Sequence, residues 1–160
     1  MYLIMLLHLA TTRFNNDTWN QNCMWRERNE WEGCVYGSPS KIKDDIIIGG
    51  LVVILEMNNE KNIIEGMGLV KNTLSLDRRY NIYNWGNYNR YTYSSKYRIN
   101  SDELNRDETI TLYVLEMLLF KGSRHLKRGQ GITSLPNWIM KNNQVDFQKK
   151  IKEMFVSRFK

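Results

Sequence analysis

The segment IIIGGLVVILEMNNEKNIIEGMGLV, residues 46–70, restricts the fold more than any other part of the chain. Gly49-Gly50 introduces a run rich in Val, Ile and Leu, Leu51–Met57. Asn58–Asn62 is polar, and Ile63–Val70 is apolar again. β-Branched residues suit a pleated surface, and a polar turn between two such runs folds them back on each other, so a β-hairpin is expected. Gly66 and Gly68 fall two apart on the returning arm and therefore share a face. The room they leave suits a tight contact with a helix, or a flat ligand.

The flanking sequence supplies the rest of an α+β domain. Tyr2–Ala10 is continuously apolar apart from His8, as for a central strand buried on both faces. Met1–Ala10 has the length of a signal-peptide core but lacks a positive leader and a clear small-residue cleavage site, and is read as that strand. Residues 13–42 carry Trp19, Trp25 and Trp31 among Asn and Arg without a clear period. A long functional loop with one helical turn is expected there. Arg90–Ile99 alternates, Tyr91, Tyr93, Ser95, Tyr97 and Ile99 against Arg90, Thr92, Ser94, Lys96 and Arg98, which predicts one amphipathic strand. A buried helix is expected after Ser101-Asp102 or Asp107, with Ile110, Tyr113, Val114, Met117 and Leu118 at helical spacing and Gly122 just past its end. Phe147, Ile151, Met154, Phe155 and Phe159 predict an amphipathic C-terminal helix that closes the core. With 160 residues and no repeat or linker, residues 1–160 form one domain.

Charge is unevenly distributed. Residues 1–77 hold seven Lys/Arg against ten Asp/Glu, whereas residues 120–160 hold ten against two. Such a basic pole attracts polyanions, nucleic acid first and an acidic membrane surface second. Phe120–Pro136, FKGSRHLKRGQGITSLP, is its densest part. Lys121 and Arg124 are accounted for by the negative end of the preceding helix. His125, Lys127 and Arg128, followed by Gly129 and Gly131, are not, and form the candidate phosphate contact. With Arg90, Lys96, Arg98 and Arg124 they make up the expected phosphate-binding set. Two cysteines, Cys23 and Cys34, are too few for a disulfide framework and lack zinc-ligand spacing, so an intracellular setting is expected and no metal or other cofactor is implied.

Catalytic signatures are thin. There is no nucleophile elbow, P-loop or dinucleotide-binding glycine pattern, and Gly129-Gln130-Gly131 is a lone G-x-G. Tryptophan beside asparagine is the more telling chemistry: Trp19, Asn22 and Trp25 in one stretch, and Trp85 in NIYNWGNYNRY. An indole stacks on a base while an amide meets its hydrogen-bonding edge.

GGLVVILEM followed by IIEGMGLV, at Gly50–Ile54 and Ile64–Val70, resembles the paired strands of the PUA-like superfamily, especially its EVE and YTH branches. The resemblance covers residues 1–70 and departs from the family pattern at Gly49-Gly50, where an acidic residue commonly follows glycine. It implies a small, curved, mostly antiparallel β-barrel with flanking helices and an aromatic pocket for a modified base. Carried over, Trp19 or Trp25 would form a wall, Asn22 a polar reader, and Glu56, Met57 and Asn58 the rim. The Asn-, Ile- and Lys-rich composition also resembles proteins of large DNA viruses.

The expected function is therefore a non-enzymatic nucleic-acid-binding module, RNA ahead of DNA, with a base pocket of Trp19, Asn22, Trp25, Glu56, Met57, Asn58 and Trp85. The expected location is cytoplasm or nucleus, or a viral factory or virion, without a membrane span. The alternatives are a structural or interaction protein docking an acidic partner, and an enzyme acting on a nucleobase.

Overall fold

The computed structural model describes residues 7–75, 80–142 and 144–159. In chain order the elements are β1 (Leu7–Phe14), α1 (Asn16–Arg28), β2 (Cys34–Ser38), β3 (Leu51–Asn58), β4 (Ile63–Lys71), β5 (Tyr91–Ser95), β6 (Arg98–Asn100), α2 (Arg106–Phe120), β7 (Thr133–Ser134), α3 (Asn137–Met140) and α4 (Phe147–Arg158). Five strands form a mixed sheet in the order β6-β4-β3-β1-β7, and β2 pairs with β5 in a separate two-stranded ribbon. β1 runs parallel to β3, and the other pairings are antiparallel. The α+β class holds, but the two sheets do not close into the expected barrel.

Covering both faces of the central sheet explains its continuous apolar runs. On β3, Val53, Leu55 and Met57 point to a core shared with α2 and α4, while Val52 and Ile54 point to a second core shared with β2, β5 and Trp25 of α1. Leu7–Ala10 lies in β1; Tyr2–Leu6 of the expected strand falls outside the described residues. The β3–β4 hairpin forms as expected, with a register shift between Leu55 and Met57. Met57 pairs with Ile64 and Leu55 with Met67, so two residues, Glu65 and Gly66, stand opposite Glu56. That bulge brings Ile64 and Met67 into the same core and leaves Gly66 and Gly68 facing the other way.

The glycine face is filled by protein. A Cβ at Gly68 would meet Tyr36 and Cys34, and one at Gly66 would meet Arg98, Ile99 and Glu56. The tight-contact expectation is met by β2 and β6 in place of a helix. Here Arg98 forms a two-pronged ion pair with Glu56, Nε to Oε2 at 3.0 Å and Nη2 to Oε1 at 2.6 Å, and Tyr36 donates its hydroxyl to Glu56 Oε2 at 2.6 Å. Burial would pull the Arg98 pKa down, but the Glu56 charge and hydrogen bonds outweigh it and hold the guanidinium charged. Burial, reinforced by that carboxylate, drives the Tyr36 pKa well up.

Three expected elements need correction. Residues 13–42 are not a loop, since Asn16–Arg28 is a 13-residue helix. Its start is fixed by a capping box in which Asn15 accepts from the Thr18 amide and Thr18 accepts from the Asn15 amide. Asparagines among the tryptophans obscure its apolar stripe, and its inward residues are Asn22 and Trp25. The Arg90–Ile99 strand is broken at Lys96-Tyr97, where the chain leaves the ribbon and joins the edge of the larger sheet. Leu69 N–H donates to Tyr97 O there, and Ser95 Oγ donates to Leu69 O, which fixes the corner.

The third correction concerns which side of α2 is buried. Thr111, Leu112, Leu115, Leu119 and Phe120 face inward, whereas Ile110, Tyr113 and Met117 are 54%, 59% and 47% exposed. An apolar surface wider than one stripe left the sequence without a marker for the inner side. Gly122, at φ +81°, follows the helix as expected. α4 packs through Phe147, Ile151, Met154 and Phe155, as anticipated. Arg158 of α4 clamps Glu108 of α2 with contacts of 2.8 and 2.6 Å. No helix among the described residues is long and apolar enough to cross a membrane.

Two outcomes follow from these pairs. Glu56→Gln or Arg98→Met, each stranding a buried polar or charged partner, should cost about 3–5 kcal/mol in chemical denaturation. The double variant should lose less than the sum of the two. Separately, the Arg158 hydrogen bonds hold Glu108 below its ordinary pKa of 4.5. Its stabilising contribution is complete above that ordinary value and is lost as pH falls through the lower folded one. Melting temperature followed across that acid range should therefore decline less steeply in Glu108→Gln than in the parent.

Candidate nucleic-acid interface

Where β1 ends and α1 begins, the chain turns beside the loop that follows α2, and a cavity of about 320 Å³ opens between them. Its basic wall is Lys127, Arg128, Gly129, Gln130 and Gly131, and Arg13, Asn15, Thr18 and Asn59 line it with Tyr83 and Tyr88. The volume lies at the low end of the range for small-molecule sites, roughly 300–1,000 Å³. Three of the lining residues are cationic and none is acidic.

Each wall is held from behind. Arg13 sits near the end of β1 and donates from Nε to Leu126 O at 2.5 Å, from Nη1 to Gly131 O at 3.2 Å and from Nη2 to Thr133 Oγ1 at 2.7 Å. It thereby staples both ends of the basic loop to the sheet. A side chain at Gly129 would displace the Arg13 guanidinium, and Gly131, at φ +73° with Ser38 Oγ where a Cβ would sit, needs glycine. The Arg13 partners are all neutral, and desolvation pulls its pKa down to about 10. A guanidinium held this way, next to Lys127 and Arg128, gains from a nearby anion.

Asn59 joins the β3–β4 turn to the same loop by donating from Nδ2 to Lys127 O at 2.9 Å. That carbonyl can only accept, so it sets the orientation of the amide. Asn59 Oδ1 is then a buried acceptor without a hydrogen-bond partner. Elsewhere in the lining, Tyr83 and Tyr88 meet edge to face at 6.2 Å between ring centres. Asn22 donates to the Tyr83 hydroxyl at 3.0 Å and to Val35 O at 2.7 Å, and so positions that part of the lining from within the core.

The expected phosphate set divides sharply. Lys127 and Arg128 line the cavity, and His125 accepts from the Lys127 amide through Nδ1 at 3.2 Å, shaping the loop. Arg124 lies over the Trp138 ring at 4.2 Å, outside the cavity lining. Arg90 and Lys96 are exposed and rest on Tyr91 and Tyr97 at 5.3 and 5.5 Å. Arg98 is committed to Glu56 in the interior and is not a phosphate contact.

The expected base pocket is not assembled. Trp25 is core and stacks on Tyr80 at 5.5 Å, Met57 belongs to the helix-side core, and Glu56 is paired with Arg98. Asn58 is buried and accepts from the amides of Glu60 and Lys61, which builds the hairpin turn. Trp19 sits between the guanidinium groups of Arg26 and Arg98 at 5.4 and 5.6 Å and borders a groove lined by Glu27, Glu30, Glu32 and Glu65. That charge is the wrong sign for nucleic acid. Trp85 alone of the set stands beside the cavity, 4.5 Å from Tyr88 between ring centres.

Arg13, Asn59, Tyr83 and Tyr88 were not singled out from the sequence. A lone arginine ending an apolar strand, and the Asn15/Thr18 capping spacing just after it, were the available signals. Among the described residues no group of three His, Cys, Asp or Glu side chains is placed to hold a metal ion.

Arg13→Met should free the loop while leaving the sheet intact. Hydrogen exchange at Lys127–Gly131 should accelerate, with the amides of β3 and β4 unchanged. Comparison of the chain with protein-family models, with curated proteins and with solved structures finds no match.

Proposed function

We propose that the protein binds single-stranded nucleic acid, RNA in the first instance, by taking one nucleotide into the cavity between the 127–131 loop and Tyr83/Tyr88. The observation that carries this reading is the composition of the lining: three cations, no carboxylate, and the aromatic residues Phe14, Tyr83 and Tyr88. The cations and the glycine backbone suit a phosphate, and the tyrosine rings suit a base. The N-terminus of α1, at Asn15 and Thr18, adds a favourable dipole for negative charge to the same cavity. This placement retains the basic loop expected from sequence and replaces the tryptophan pocket with a tyrosine-walled one.

A second reading, an interaction protein, draws on a different surface. Ile110, Tyr113 and Met117 form an exposed apolar stripe on α2, which is suited to a protein partner.

Titration of labelled single-stranded RNA at several salt concentrations separates the two. Affinity should fall steeply with salt as counterions are released. Lys127→Ala with Arg128→Ala should weaken binding about tenfold or more and lower the magnitude of the salt slope by about two. Lys121→Ala with Arg124→Ala should leave the slope nearly intact. Absent or salt-independent binding, or equal losses from the two double variants, would refute the cavity reading.

A further inference from the structure

We infer that Trp85 is a stacking platform for the base next to the one in the cavity, so that the ligand is a strand of at least two nucleotides and not a free nucleotide. This rests on the cavity reading above and extends it outward along the chain of the ligand.

Trp85 is 56% exposed, whereas Trp19, Trp31 and Trp138 are half-buried and Trp25 is buried. A large apolar ring left in water on a loose loop would be unremarkable, but this loop is fixed. Asn89 Oδ1 accepts from the amides of Ile82 and Tyr83 at 3.0 and 2.9 Å, and its Nδ2 donates to Tyr83 O at 2.7 Å. Tyr88 N–H donates to Trp85 O at 3.0 Å, and Asn84 N–H donates to Gln21 of α1 at 2.8 Å. The indole is thus held out by a braced turn, with open space around the neighbouring Gly86.

The rings form a continuous path. Tyr83 and Tyr88 line the cavity, and Trp85 adjoins Tyr88 from outside it at 88° between ring planes. A strand with one nucleotide in the cavity would carry its next base over Tyr88 toward the exposed indole. Stacking on a π-face tolerates any base, which fits a position outside the cavity. A ligand of that kind uses the indole and the Lys127–Arg128 wall together, and this favours a nucleic acid strand over an apolar protein partner at this corner.

The test compares three probes: a nucleoside 5′-monophosphate, a 5′-phosphorylated dinucleotide, and the same dinucleotide with its second position abasic. Each is titrated by calorimetry against the parent protein, Trp85→Ala and Trp85→Phe, with thermal melting as the check on folding. The dinucleotide should bind the parent more tightly than its abasic counterpart, and Trp85→Ala should lower its affinity about tenfold, erasing that difference. Binding of the monophosphate should be unchanged, and Trp85→Phe should keep most of the dinucleotide affinity. If Trp85→Ala leaves the gap between dinucleotide and abasic probe intact, the platform is refuted. It is equally refuted if monophosphate binding drops in parallel, because Trp85 then only buttresses Tyr88. If the parent binds none of the three, the cavity reading itself fails and the platform with it.

Discussion

Glu56 and Arg98 meet at the corner where the larger sheet passes into the β2–β5 ribbon, and both are almost wholly removed from water. Desolvating two charges is costly, and only a two-pronged geometry with further hydrogen bonds offsets it. The chain supplies both, since Tyr36 donates to the same carboxylate and Asn100 accepts from Arg98 at 3.0 Å. The partners come from β2, β3 and β6, so the pair joins ribbon, hairpin and sheet edge at one point. Gly66 and Gly68 are part of that arrangement, because any larger side chain there would displace Arg98 or Tyr36. The bulge at Glu56 turns the carboxylate toward this side without interrupting the apolar face beneath α2 and α4.

Ordering at the corner reaches the cavity through a short series of contacts. Tyr36 fixes β2; Asn22 of α1 ties β2 to Tyr83 through Val35 O and the tyrosine hydroxyl. Tyr83 and Tyr88 then line the cavity, while Arg13 and Asn59 hold the basic loop. Positive charge and aromatic side chains are thus brought to one cavity by neutral hydrogen bonds. The acidic groove beside Trp19 runs along α1 to the residues that follow it, bordered by Glu27, Glu30, Glu32 and Glu65. A polyanion approaching the molecule is drawn toward one and repelled from the other.

Local pattern made much of the scaffold legible. The β3–β4 hairpin, the two long C-terminal helical segments and Gly122 after α2 follow from residue type and period within each segment. The basic loop was legible in part: relation to the helix end set His125, Lys127 and Arg128 apart from Lys121 and Arg124, and of those three Lys127 and Arg128 line the cavity. The tryptophans misled because polar sequence neighbours do not report burial. Trp25 sits among Asn, Cys and Arg in the chain, yet its ring packs on Tyr80. Arg98 misled likewise, since strict alternation placed it on a solvated face while Glu56, distant in sequence, drew it inside.

The sequence by itself determined the hairpin, the α+β class and the asymmetric charge, because these depend on neighbours a few residues apart and on simple sums. Tertiary structure alone decided that the strands stay open, that Ile110, Tyr113 and Met117 face water, and that Arg98 is committed to Glu56 while Arg13 lines the cavity. Each of those outcomes is a choice of partner across a long stretch of chain, such as Arg13 with Gly131 or Glu56 with Arg98. Such choices are set by geometry and desolvation at the point of contact, and no local period encodes them.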